Sequence, residues 1–77
     1  MKGKLISIIK ILAVGFKEII IDIELQEFTI NSIEIDSKNN IILHRFESNM
    51  DIEFLFDEIS QKDKDKIYKI LSNLLYN

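Results

Sequence analysis

The sequence predicts an α+β fold of order α-β-β-β-β-α, and three observations lead to it. Apolar residues recur at helical spacing near both ends of the chain. Four segments between them alternate in polarity or are rich in β-branched and aromatic residues. The connections are short and carry turn residues, so the strands should run as an antiparallel meander in one sheet of about four strands.

The first helix is expected over residues 4–14. Lys4, Ser7 and Lys10 share one side of a helical wheel, and Leu5, Ile8, Ile9 and Leu12 lie opposite. Read as a strand, the same stretch would put a lysine among isoleucines. Gly15 is placed to end this helix in a left-handed conformation.

Residues 18–25 alternate as a half-buried strand. Ile19, Ile21, Ile23 and Leu25 face one way, and Glu18, Ile20, Asp22 and Glu24 the other. A second strand spans 28–36. Ile33 and Ile35 are in phase there, but Phe28 and Ile30 are not, which predicts a bulge near Asn31-Ser32. Ser37-Lys38-Asn39-Asn40 is a tight turn, because asparagine tolerates positive φ. The third strand covers 41–47, and the fourth 51–56 with Ile52, Phe54 and Phe56 inside. Ser60 caps the last helix, with Asp63 three residues on. Its apolar stripe is Ile67, Ile70, Leu71 and Leu74. The run Lys62-Asp63-Lys64-Asp65-Lys66 reads as the solvated first turns, with Asp65 and Lys69 paired at i,i+4. Each helix must bury one face and the sheet has one strongly apolar face, so both helices are expected there.

Seventy-seven residues without proline or a Gly/Ser linker are read as a single compact domain, 1–77. Seventeen isoleucines, eight leucines and five phenylalanines supply a dense core. No cysteine is present, so neither a disulfide nor a Cys-based zinc site has its ligands. The N-terminal run opens like a signal peptide, but Lys10 interrupts it and no small-x-small site follows. Extended to Leu25, the stretch holds too many charges for a membrane span. The chain is therefore expected to be soluble and cytoplasmic, with no membrane partner. Its Ile, Asn and Lys usage fits an A/T-rich genome, as in many bacteria and phages.

Acid–isoleucine–acid occurs three times, as Asp22-Ile23-Glu24, Glu34-Ile35-Asp36 and Asp51-Ile52-Glu53. Residues two apart on a strand point the same way. Each triplet therefore buries its isoleucine and turns two carboxylates outward. Six carboxylates are expected on one open sheet face, with Ile20 and Leu55 among them. The charge distribution agrees. Residues 1–17 hold four lysines and no acid, whereas residues 18–60 hold eleven acids against Lys38 and Arg45. Asp and Glu are poor strand formers, and like charges on neighbouring strands repel. A small domain that keeps such a field is expected to use it for a partner, the alternative being that the acids only keep it soluble. A broad anionic face steers a cationic partner.

Other chemistry lacks its parts. His44 is the single histidine, so neither a nucleophilic triad nor a His/Cys metal site can be assembled. It is expected near Glu47 or Glu53. No EF-hand loop is present for Ca²⁺, and two glycines do not make a phosphate-cradling loop. Lys62, Lys66 and Lys69 lie along one helix face, but Asp63 and Asp65 dilute them, and direct nucleic-acid binding is not expected.

The sequence is thus read as a non-enzymatic protein-binding module without cofactor, catalytic residue or metal. Asp22, Glu24, Glu34, Asp36, Asp51 and Glu53, with Leu55 and Ile20 as apolar anchors, would cover a basic surface of a partner such as a nucleic-acid-processing enzyme. Anti-CRISPR proteins, DNA mimics, antitoxins and immunity proteins act in this manner. The alternatives are a homodimeric structural or regulatory subunit, or a weak nucleic-acid binder using the lysine-bearing helices.

Overall fold

The computed structural model describes residues 2–77. Helix α1 spans Lys2–Leu12, strands β1 to β4 span Glu18–Glu24, Thr29–Ile35, Ile41–Glu47 and Met50–Leu55, and helix α2 spans Gln61–Tyr76. A 3-10 turn, Phe56–Glu58, joins β4 to α2. The order is α-β-β-β-β-α, and the strands form one antiparallel sheet in sequence order. No helix among the described residues is long and apolar enough to cross a membrane.

Both helices pack on the same side of this sheet. Leu5, Ile8 and Ile9 of α1 and Ile67 and Leu71 of α2 join one core with Ile23, Ile30, Ile33, Ile35, Ile41 and Leu43. The row Ile19, Ile33, Leu43 and Phe54 crosses all four strands beneath them. Strand alternation then turns the neighbouring rows away from the helices.

The turns set the register. Asn39, at φ 62°, closes the β2–β3 connection. Asp36 accepts backbone N–H bonds from Lys38 and Asn40 at 2.9 and 2.8 Å, and an amide bond from the Asn40 side chain at 3.0 Å. Ser48 and Asn49 make the β3–β4 turn with φ 49° and 65°, the paired positive values of a type I′ hairpin. The α1 terminus turns through Gly15 at φ 85°.

The phase change within β2 is accommodated as its sequence requires. Ile30 and Ile33 are both fully buried, and between them Asn31 stands opposite two residues of β1, Ile21 and Asp22. The extra residue therefore lies in β1. Asn31 compensates for the broken ladder. Its side-chain oxygen accepts the Phe46 N–H at 2.8 Å, and its amide donates to Asp22 at 3.0 Å.

Three expectations are corrected in α2. Leu74 is exposed, and Leu75 packs on the core instead, because the buried stripe advances by four residues, through Ile67 and Leu71 to Leu75. Asp65 accepts from Gln61 at 2.8 Å, within its own turn, rather than pairing with Lys69. Asp63 is only 6% exposed, so the charged run is not solvated throughout. Its carboxylate accepts the backbone N–H of Gln26 at 3.1 Å, and its own N–H donates to Ser60 Oγ at 3.2 Å. Ser60 also donates to Gln26 Oε1, and Lys66 reaches the Glu24 carbonyl. The start of α2 is thereby tied to the β1–β2 hairpin.

Removing the Asp63 carboxylate leaves the Gln26 N–H without its partner. Asp63→Ala should lower the unfolding free energy by about 1–3 kcal/mol in urea denaturation. Asp65→Ala, two residues away on an exposed side chain, should change it by less than about 0.5 kcal/mol.

Candidate functional site

The sheet face opposite the helices is built from two rows that cross every strand. One row is Glu18, Glu34, Ile42 and Leu55; the next is Ile20, Ser32, His44 and Glu53. Phe46 and Asp51 begin a third. Ile20 is 75% exposed and Leu55 46% exposed, so this face is open to solvent.

All six triplet carboxylates are expected here from strand alternation, and the structure divides them. Glu34, Asp51 and Glu53 lie on the rows just described. Asp22 projects from the β1 bulge and holds Asn31. Glu24 is exposed at the far end of β1, opposite Thr29. Asp36 lies past the end of β2, and its carboxylate is committed to the turn. Its role there is to satisfy backbone donors, and those bonds hold its pKa below the ordinary value of 3.8.

Glu18 joins the face although its strand position is outside the triplets. It stands directly opposite Glu34, an arrangement that repels unless each carboxylate finds a donor. Ser32 donates its hydroxyl to Glu18 at 2.7 Å, and Lys17 lies 3.4 Å from Glu34.

His44 organises the centre. It is 4% exposed, although no helix covers it. Its Nε2 lies 2.7 Å from Glu34 Oε1, and its Nδ1 lies 2.8 and 3.1 Å from the two oxygens of Asp51. Phe46 stacks at its rim, with ring centroids 6.1 Å apart. Burial opposes charge on the ring, but the hydrogen bonds to Asp51 and Glu34 and their negative charge outweigh it. The pKa of His44 is raised above its ordinary 6.5.

The sequence places His44 near Glu47 or Glu53, and Glu53 is indeed its neighbour. Glu53 is directly opposite on β4, but the contacts go to Glu34 and Asp51, one diagonal step away on each side. Glu47 instead accepts from Arg45 at 2.8 Å. The missed signal is the diagonal neighbour rule, applied after both turns fix the registers.

Ligand atoms of His44, Asp51 and Glu53 lie within 4.8 Å of one another. Binding a metal through His44 needs a lone pair on a ring nitrogen, and in the protonated ring both nitrogens are engaged with carboxylates. Among these three, Glu53 alone has a carboxylate outside the hydrogen-bond network of the described residues. The arrangement suits recognition by charge and shape better than coordination.

Comparison with protein-family models, curated proteins and solved structures finds no match.

The sign of the pH dependence follows from the raised pKa of His44. Its protonation contributes stability that is fully present below pH 6.5 and is lost as pH rises through the folded-state value. Urea midpoints measured across that range should fall in the natural chain and stay nearly level in His44→Gln. At the acid end, Asp36 acts in the opposite direction. Its contribution is present above pH 3.8 and is lost as pH falls through its depressed value.

Proposed function

We propose that this chain is a non-enzymatic protein-binding module whose open sheet face covers a basic surface of another protein. The observation that carries this reading is the composition of the face. Glu18, Asp22, Glu34, Asp51 and Glu53 surround Ile20 and Leu55, which stand exposed at opposite edges of the sheet. Exposed apolar residues set among predominantly negative charge are a contact surface in form, with anchors to desolvate and a field to orient the partner.

Broad cationic surfaces in cells are commonly nucleic-acid-binding sites, which must neutralise phosphate. An inhibitor of a nucleic-acid-processing enzyme is therefore the class of activity this face serves best. It would block the basic groove as DNA mimics, anti-CRISPR proteins, antitoxins or immunity proteins do. Glu24 and Glu53 supply carboxylates outside the internal hydrogen-bond network, while Asp36 belongs to the turn and drops out of the contact set. A second copy of the chain would also cover Ile20, Phe46 and Leu55, but face-to-face pairing would bring carboxylates against carboxylates.

An oligoarginine peptide, titrated at low salt and followed by amide chemical shifts, tests the location. Shifts should concentrate at Ile20, Ser32, His44, Glu53 and Leu55. Glu24→Gln with Glu53→Gln should weaken binding several-fold more than Glu27→Gln with Glu58→Gln, which removes equal charge elsewhere. Equal losses, or shifts spread evenly over Glu27, Asp57 and Glu58, would show only a diffuse acidic field.

A further inference from the structure

The protonation of His44 can be argued from geometry. A neutral imidazole carries one N–H, and an ionised carboxylate only accepts. Both ring nitrogens face carboxylate oxygens, at 2.7 Å to Glu34 and 2.8 Å to Asp51. Both contacts are favourable together only when both nitrogens carry protons.

We propose that His44 is a proton-held latch that regulates the charge of the contact face: protonated, it joins Glu34 of β2 to Asp51 of β4 across β3, and deprotonated, it keeps Glu34 and releases Asp51. The choice of which contact opens follows from solvent access. The Asp51 side chain is 46% exposed and can be rehydrated, whereas that of Glu34 is 16% exposed. Glu34 is also held near Lys17. The ring should therefore retain Nε2–H and leave Nδ1 with a lone pair toward Asp51.

Among the described residues, most charged groups around the ring have partners of their own. Lys17 and Glu18 at the β1 edge are tied to Glu34 and Ser32, and Asp22 to Asn31. Glu53 faces the ring from β4. On β3, next to His44, Arg45 is occupied by Glu47 and the Thr29 carbonyl. Losing the His44 proton makes the face one charge more negative and frees the Asp51 carboxylate on the β4 edge. This regulation rests on the reading of the face as a site for cationic partners, and it predicts tighter contact at higher pH.

The chain has one histidine, so its ring resonances are unambiguous. Nitrogen-15 NMR of the full chain should show both ring nitrogens protonated at pH 6.5, a midpoint above that value, and the Nε2–H tautomer beyond it. Asp51→Asn, at a half-exposed position, should lower the midpoint while amide spectra report a retained fold. Oligoarginine should bind about two- to threefold tighter above the midpoint than below it at low salt, and His44→Gln should lack that step. A ring already neutral at pH 6.5, or an Nδ1–H tautomer above the midpoint, would overturn the latch. The same binding step in His44→Gln would overturn its regulatory role. A titrating latch with no peptide bound on either side of the midpoint would overturn the contact-face reading and leave the protonation assignment standing.

Discussion

Ile33 and Leu43 stand side by side on the two central strands, both fully buried in the core shared with α1 and α2. Their contact fixes the phase of β2 and β3. A slip of one residue in either strand would drive Glu34 or His44 into the apolar layer and push a core side chain into water. The outer strands inherit this phase through Ile19 and Phe54, which complete the same row. Every carboxylate of the opposite face owes its position to that row.

A face fixed in this way must still manage its own repulsion. Glu18 and Glu34 are direct neighbours, and Asp51 and Glu53 follow one another along one side of β4. The structure answers with a donor for most of them: Ser32 for Glu18, Lys17 and His44 for Glu34, His44 for Asp51, and Asn31 for Asp22. The hydrogen-bonded carboxylates are ordered and partly neutralised, while Glu53, opposite His44, and Glu24, near the end of β1, have carboxylates outside that network, and Ile20 and Leu55 stay exposed on the two edge strands. The face thus combines pinned carboxylates with available ones.

Much of this was legible in the sequence, and the legible part is local. Alternation placed Ile20, Glu34, Asp51, Glu53 and Leu55 on one side, because the strand period is a property of consecutive residues. Ser60, Asn39 and Gly15 announced their cap and turns through their own conformational preferences. The out-of-phase Ile30 and Ile33 located the irregularity near Asn31, although the count of residues did not reveal that β1 carries the extra one. What was not legible depends on distance along the chain. Asp63 sits in an alternating charged run and looks solvated, and its partner N–H on Gln26 is 37 residues away. His44 lies in a stretch where both phases are apolar, so its partners emerge only when two turns have set two registers. Asp36 has the same local pattern as Glu34, yet the turn that follows claims it.

The proposed contact surface requires Ile20 and Leu55 to be open to solvent while Ile33 and Leu43 are sealed on the other side. Methyl relaxation by a soluble gadolinium chelate reads this contrast directly in the free protein. The Ile20 and Leu55 methyls should relax strongly, and those of Ile33 and Leu43 should be nearly untouched. Protection of Ile20 and Leu55 to the same degree as Ile33 and Leu43 would mean that something covers this face, and the contact surface described for it would not exist.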